Sequence, residues 1–131
     1  MKPKIKGSNA ERELVHKFWD AGWGVARIAG SGSTSLPAPD LIAGFAGRTL
    51  AVECKVTTAA IQYFGREEIA SLQEFAGRLA AEPWIAVKFN REGWFFAPIH
   101  SLDKTDTALK FSKDKAKMIG FSFEEMTLKS P

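Results

Sequence analysis

Two short apolar runs joined by Ala46-Gly47 constrain the fold of this chain more than any other feature of its sequence. Residues 41–45 and 50–56 are rich in apolar and β-branched residues, a pattern typical of strands. A two-residue turn at Ala46-Gly47 would pair Phe45 with Arg48 and form a β-hairpin. Ala-Gly is a weaker turn signal than Asn-Gly, and a loop longer by one residue would shift the pairing by one position.

Polar residues occupy one end and one face of this predicted hairpin. Counting outward from the turn places Asp40 opposite Glu53. Side chains alternate along a strand, so Glu53 and Lys55 share a face while Cys54 points the other way. Two carboxylates can hold a hard cation and an ammonium can orient water, which is the minimum set for metal-assisted cleavage of a phosphodiester. The simpler alternative is a solvated hairpin with a Glu–Lys pair on its polar face.

Glu11 is a third candidate carboxylate, and it lies in a predicted helix over residues 9–21. Apolar residues recur there at helical spacing, and Gly22 is a stop signal. The apolar stripe consists of Ala10, Leu14, Val15, Phe18 and Trp19. Ser8 lies three residues before Glu11, which is also the pattern of a capping box in which Glu11 accepts from the Ser8 amide. A carboxylate committed to a cap is poorly placed for a metal, so the two interpretations compete.

A small, polar segment leads from a predicted strand over residues 23–28 into Asp40. This segment, residues 30–35, is either an ordinary loop or one that orders against a phosphate backbone, with hydroxyls and amides as donors. Arg12 and Arg27 flank the same region. A single arginine is usually a surface residue, but two beside three carboxylates would suit a polyanion, because guanidinium groups match phosphate oxygens.

In this order, the residues resemble the archaeal Holliday junction resolvases, within the wider PD-(D/E)xK nuclease superfamily. The resemblance covers residues 7–98. Its matching segments are Gly7–Val15, Arg27–Ser31, Pro39–Ala43, Val52–Lys55, Ile85–Phe89 and Gly93-Trp94. This conjunction is far more specific than the superfamily motif alone. The loop after Ser31 and the segment after His100 depart from the family pattern, which leaves sequence preference and tail contacts open.

The resemblance implies an α/β fold with a central mixed β-sheet flanked by helices, like that of restriction endonucleases. It implies one nuclease domain over residues 1–131 with its core at 7–98, and an active homodimer. The implied enzyme binds four-way DNA junctions and nicks two opposed strands symmetrically in recombination and repair, using magnesium or, in its place, manganese.

The same resemblance implies roles for individual residues. The metal-binding acidic site corresponds to Glu11, Asp40 and Glu53. Lys55 and Ser31 complete the implied catalytic set. The implied DNA-binding residues are Arg12, Arg27, Ser31 and Phe75, of which Phe75 is also associated with the dimer surface. The backbone carbonyl of Cys54 is a further implied metal ligand.

The overall composition agrees with a nucleic-acid enzyme without establishing one. The chain has 131 residues, 45% of them hydrophobic, which is enough for one domain with a core. A net charge of +3 and a pI of about 9.1 permit nucleic-acid binding. A single cysteine excludes an internal disulfide, and Cys54 is predicted to be a core residue. No signal peptide or membrane span is found, which predicts a cytoplasmic protein with no membrane partner.

The middle of the chain is predicted to hold another helix and two more strands. Residues 57–65 are predicted to be irregular, with Tyr63-Phe64 in the core or, alternatively, near DNA. Residues 66–81 are predicted to be helical. Their apolar side comprises Ile69, Leu72, Phe75, Ala76 and Leu79. Strands are predicted over residues 84–89 and 94–97. The second strand places Phe95 and Phe96 on opposite faces of the sheet. One ring would lie in the core, and the other would be buried by something else, such as a partner subunit.

The last part of the chain is the least informative. The lysine-rich stretch 104–117 is interrupted by aspartates, which favours a solvated face or mobile tail over a dedicated DNA arm. Phe121, Phe123, Met126 and Leu128 either dock as a final strand or bind a partner.

Two other functions remain open from the sequence. One is a nuclease with the same core that acts on linear duplex, flaps or damaged ends, which only a comparison of substrates separates. The other is a non-catalytic DNA-binding or scaffold protein. The presence of Asp40, Glu53, Lys55 and Glu11 together argues against that alternative.

Overall fold

The structure, a computed structural model, describes residues 3–28 and 36–128. Its helices are α1 (Pro3–Asp20), α2 (Arg66–Leu79), α3 (Lys113–Ile119) and α4 (Phe123–Leu128). Its strands are β1 (Gly24–Arg27), β2 (Leu41–Phe45), β3 (Arg48–Thr57), β4 (Ile61–Gly65), β5 (Glu82–Phe89), β6 (Gly93–Pro98), β7 (Asp103–Lys104) and β8 (Ala108–Ser112). A short 3-10 helix, Ile99–Ser101, follows β6.

The central sheet has five strands in the order β1-β2-β3-β5-β6. Only the β3–β5 pair is parallel, so the sheet is mixed as predicted. A parallel pair needs a crossover connection, and here β4 and α2 supply it. The crossover leaves α2 against one face of the sheet, while α1 packs on the other.

The hairpin has the register that the sequence predicts. Phe45 pairs with Arg48 and Leu41 with Val52, so continuing the ladder brings Asp40 opposite Glu53. Ala46 has φ of 50° and Gly47 has φ of 85°. Positive φ at both central residues is the signature of a type I′ turn, whose twist matches that of the flanking strands.

Helix α1 starts earlier than the sequence indicates. It begins at Pro3 instead of residue 9, so Ser8 lies inside the helix and the capping-box interpretation of Ser8 and Glu11 is wrong. The helix ends at Asp20, and Gly22 (φ 94°) reverses the chain so that the Trp23 amide donates to the Phe18 carbonyl at 2.9 Å. This is a Schellman cap.

The predicted apolar stripe of α1 is correct except at one position. Ala10, Leu14 and Phe18 are buried, and Val15 is partly buried against the same core. Trp19 is 68% exposed, so its assignment to the stripe is wrong.

Two hydrophobic clusters cover the two faces of the central sheet. The first lies under α1 and α4 and includes Phe18 and Phe96, and the second lies under α2, α3 and β8. Phe95 packs against Phe89 in the second cluster, with ring centroids 6.1 Å apart. Phe96 is fully buried, whereas Phe95 is partly buried, so this chain supplies part of its cover and a further contribution from a partner stays a prediction.

A second, three-stranded sheet is formed by β4, β8 and β7. Residues 61–65, predicted to be irregular, form β4 because β8 pairs with it from much later in the chain. Phe64 is fully buried as expected, whereas Tyr63 is 53% exposed, which contradicts its placement in the core.

The described part of the C-terminal segment, up to residue 128, packs against the rest of the fold. Phe121 forms a β-bridge with Phe96, and Phe123 and Met126 are buried in the first cluster. The lysine-rich stretch contributes β8 and α3, and its Lys115 pairs with Asp103 at 2.6 Å. The expectation of a mobile tail is therefore wrong for the described residues. None of the described helices combines the length and hydropathy needed to cross a membrane.

Candidate active site

Asp40 is held between two strands at the open end of the hairpin. Its amide donates to the Val52 carbonyl at 3.1 Å, and its carbonyl accepts from the Ile28 amide at 2.9 Å. Its side-chain Oδ2 accepts from the Cys54 amide at 2.8 Å. These three bonds fix the carboxylate beside the Glu53 position of β3.

Glu53 lies on the face of β3 that α2 covers, as does Lys55. Burial raises the pKa of Glu53 to about 9, with further contributions from the negative charge of Asp40 and a hydrogen bond with Glu68. A raised pKa means that the neutral carboxyl is favoured, so Glu53 can donate its proton to a Glu68 oxygen. The alternating pattern of β3 places Cys54 in the opposite core, where burial keeps its thiol neutral by raising its pKa.

Lys55 forms an ion pair that the sequence analysis does not anticipate. Its Nζ lies 2.6 Å from Oε2 of Glu68, and it sits 5.9 Å from the centroid of the Phe64 ring. Burial lowers the pKa of Lys55, but the hydrogen bond and charge of Glu68, followed by the charges of Glu53 and Asp40, outweigh it and leave the pKa raised. Lys55 is therefore a protonated ammonium next to the carboxylates.

Glu68 is a member of this cluster that is absent from the residues predicted from the sequence. A signal for it exists, because Glu68, Leu72 and Phe75 lie on one face of α2 at helical spacing, and Leu72 is buried. A charged residue on the core-facing stripe of a helix needs a partner, and Lys55 provides one.

Glu11 faces the same region from α1 and is held by Arg27. Arg27 Nε donates to Glu11 Oε1 at 2.9 Å, and its NH2 group donates to the Ser8 hydroxyl at 3.0 Å. Burial raises the pKa of Glu11, as does the charge of Asp40, against the opposing effects of Arg27 and Arg12. Ser8 therefore serves Arg27 and does not cap the helix.

The remaining predicted site residues are Arg12, Phe75 and Ser31, and they differ in where they lie. Arg12 is exposed on α1 and acts on Glu11 through its charge. Phe75 is partly buried against the second core cluster and lines an open groove of about 230 Å³ together with Leu36 and Pro37. Ser31 and its loop lie outside the described residues.

The donor chemistry of the cluster suits a hard cation, since Asp40, Glu53 and Glu11 offer only carboxylate oxygens. In residues 3–28 and 36–128, no three His, Cys, Asp or Glu side chains are already arranged to hold one ion. In this arrangement Glu11 is hydrogen-bonded to Arg27 through Oε1, and Glu53 lies close enough to Glu68 for the two carboxyl groups to interact.

Comparisons with known proteins point in one direction. Residues 2–130 match the family model of the archaeal Holliday junction resolvases. The chain is 36% identical over 110 residues to a crossover junction endodeoxyribonuclease of Archaeoglobus fulgidus. The aligned region covers 84% of this chain and 81% of that protein. A Methanocaldococcus jannaschii protein of the same name is 35% identical over 121 residues, covering 92% of this chain and 86% of the relative.

A solved structure has the same fold. The Holliday junction resolvase of Archaeoglobus fulgidus superposes with a TM-score of 0.84 at 32% identity. The superposition covers 89% of this chain and 94% of that one.

Proposed function

The chain belongs to the archaeal Holliday junction resolvase family, and we propose that it is a structure-specific endonuclease that hydrolyses four-way DNA junctions. It nicks two opposed strands symmetrically, in DNA recombination and repair, as a cytoplasmic enzyme. The observation that carries this proposal is the hairpin register, which brings Asp40 and Glu53 level with each other and next to the Lys55 ammonium.

The family implies dependence on a divalent metal ion, and we propose Mg²⁺, with Mn²⁺ as a substitute. Asp40, Glu53 and Glu11 would hold it, with the Cys54 carbonyl as a further oxygen donor. When bound, the ion supplies stabilisation of charge on a phosphoryl oxygen and lowers the pKa of a water molecule.

The chain's own residues then orient the reactants. Lys55 positions the attacking water beside the scissile phosphate, and its ammonium offsets the negative charge that develops there. Arg27 and the exposed Arg12 hold the DNA backbone through charge-assisted hydrogen bonds. The loop at Ser31 and the ring of Phe75 complete the proposed DNA contacts. Water adds to phosphorus, and the bond to the ester oxygen breaks as that oxygen leaves.

Junction specificity, in this proposal, comes from a homodimer. A two-fold dimer presents the same site twice, which suits a junction of pseudo-two-fold symmetry and two symmetric nicks. Recognition then rests on phosphate spacing and branch shape, with little need for base-edge contacts. Each chain contributes a net charge of +3 toward the DNA. Sedimentation equilibrium tests the dimer, and a monomer at junction-cutting concentrations contradicts it.

Cleavage of a synthetic immobile four-way junction in Mg²⁺ tests the function. Each strand is labelled in turn, with linear duplex and flap DNA as controls. Paired nicks on opposite strands of the junction alone are expected. Cutting of all three substrates would indicate a general nuclease, and tight binding with no cutting under any divalent ion would indicate a recognition protein.

A further inference from the structure

Glu68 comes to the site from a different element than the residues considered so far. It lies in the first turn of α2, which begins immediately after β4 and packs across the face of β3 that carries Glu53 and Lys55. Glu67 precedes it in the same turn but is exposed to solvent. Only Glu68 of this acidic pair lies on the side facing β3.

The contact between Glu68 and Lys55 is short and sheltered. The ion pair measures 2.6 Å, and the side chains of Lys55 and Glu68 are 31% and 27% exposed. The Arg78–Glu74 pair on the same helix measures 3.0 Å with side chains 81% and 52% exposed. An exposed ion pair of that kind restricts its side chains little, whereas a partly buried ion pair restricts the positions of both side chains.

Lys55 needs such a restraint if it is to act on a defined phosphate. A lysine side chain is a flexible four-carbon stem with three rotatable donors, and it carries substantial rotamer entropy. The carboxylate of Glu68 pairs with its ammonium, and the ring of Phe64 lies beside that ammonium, 5.9 Å away at the ring centroid. Lys55 forms its ion pair with Glu68, whereas Glu53 affects the pKa of Lys55 through its negative charge.

We propose that Glu68 is a positioning residue that holds the Lys55 ammonium in place for phosphodiester cleavage. This inference rests on the proposed nuclease function. Misplacing a reacting group by a fraction of an ångström to an ångström costs rate without costing affinity, because binding rests on other contacts. Loss of Glu68 should therefore slow the chemical step and leave junction binding intact.

The test compares Glu68→Gln with Glu67→Gln, which removes the same charge from the same helical turn. With enzyme in excess over labelled junction, Glu68→Gln is expected to lower the single-turnover rate constant by about tenfold or more. Its junction Kd and melting temperature should stay near those of the parent. Glu67→Gln should cut at the parental rate. Glu68→Asp, which keeps the charge on a shorter stem, should recover part of the loss.

Two results would overturn the inference. Equal rates for Glu68→Gln and Glu67→Gln would show that the ion pair is not used. A large shift in the Mg²⁺ concentration needed for half-maximal rate, with the maximal rate unchanged, would make Glu68 a metal ligand instead.

A second readout is independent of cleavage. NMR of the lysine Nζ and Cε groups should show Lys55 restricted in the parent and as mobile as surface lysines in Glu68→Gln. Unchanged Lys55 signals would overturn the positioning role. If the parent itself cuts no junction, the proposed function fails, and the lysine signals still decide whether Glu68 holds Lys55.

Discussion

Asp40→Asn and Glu53→Gln neutralise their carboxyl groups with little change in side-chain volume, and Lys55→Ala removes the ammonium. Asn at position 40 keeps an oxygen that can accept from the Cys54 amide, and Gln at position 53 is close in volume to a protonated Glu. We expect Asp40→Asn, Glu53→Gln and Lys55→Ala to abolish junction cutting while junction binding is largely kept. Gel-shift and cleavage assays measure both. Loss of the folded circular dichroism spectrum in these variants would make the residues structural.

Substitution of Glu11 is a second test that separates an effect on activity from an effect on stability. Since it is not a helix cap, Glu11→Gln removes one charge while keeping an acceptor for Arg27. We expect a large loss of cleavage rate and a stability loss of about 1 kcal/mol or less. Ser8→Ala, which removes only the second acceptor of Arg27, is the matched control. A marked drop in melting temperature with normal cutting by Glu11→Gln would contradict this prediction.

The raised pKa of Glu53 makes metal-free stability depend on pH. Between the ordinary pKa of 4.5 and about 9, the folded protein binds more protons at this site than the unfolded chain. The stabilisation is complete below the lower value and is lost as pH rises toward the upper one. We expect the parent's melting temperature in EDTA to fall with rising pH relative to Glu53→Gln.

Added Mg²⁺ supplies the control for that titration. If Mg²⁺ binds the ionised carboxylate as proposed, it should raise the melting temperature most at high pH, where little proton competition remains. Parallel curves for the parent and Glu53→Gln, with or without the ion, would show that Glu53 has an ordinary pKa.

The β2–β3 hairpin depends on a turn whose first residue is strained. Ala46 has φ of 50°, a left-handed conformation that asparagine and glycine tolerate better. We expect Ala46→Asn to stabilise the chain by about 0.5 kcal/mol, whereas Gly47→Ala should destabilise it by about 1 kcal/mol. Urea unfolding at constant m-value measures both changes. Destabilisation by Ala46→Asn would mean that the turn is not type I′.

This hairpin also shows what the sequence can determine. Its register follows from a two-residue turn and strand alternation, which are local rules, so Asp40, Glu53 and Lys55 were correctly placed together. β4 was missed because its partner β8 is distant in sequence, and Glu68 was missed because its partner lies on another element. Local patterns do not reveal such pairings.

The start of α1 was misjudged for a related reason. Ser8 and Glu11 satisfy a capping pattern, and nothing local reveals that Arg27 on β1 takes both side chains instead. Tertiary partners override a local preference here. Trp19 also departs from the helical pattern, since its side chain is 68% exposed. The family resemblance implies a site role for Glu11, where spacing alone leaves two interpretations, and that role stays a prediction.

The molecule as a whole is closed by its C-terminal helix. Met126 is fully buried in the first core cluster, whereas Leu128 in the same helix is 83% exposed. We expect Met126→Ala to destabilise the chain by about 2–5 kcal/mol and Leu128→Ala by less than about 0.5 kcal/mol. Thermal unfolding measures the difference. Equal effects would mean that α4 is not docked.

Arg48 ties the first residue of β3 to this last helix. Its guanidinium makes two 2.9 Å bonds to Glu82 and one 2.9 Å bond to the Met126 carbonyl, 78 residues away. Proteins are synthesised from the N-terminus, so β3 is made long before α4, the helix that completes this contact. We therefore expect the Arg48 contact, and the stability it gives to β3, to be absent from a nascent chain until α4 has emerged from the ribosome.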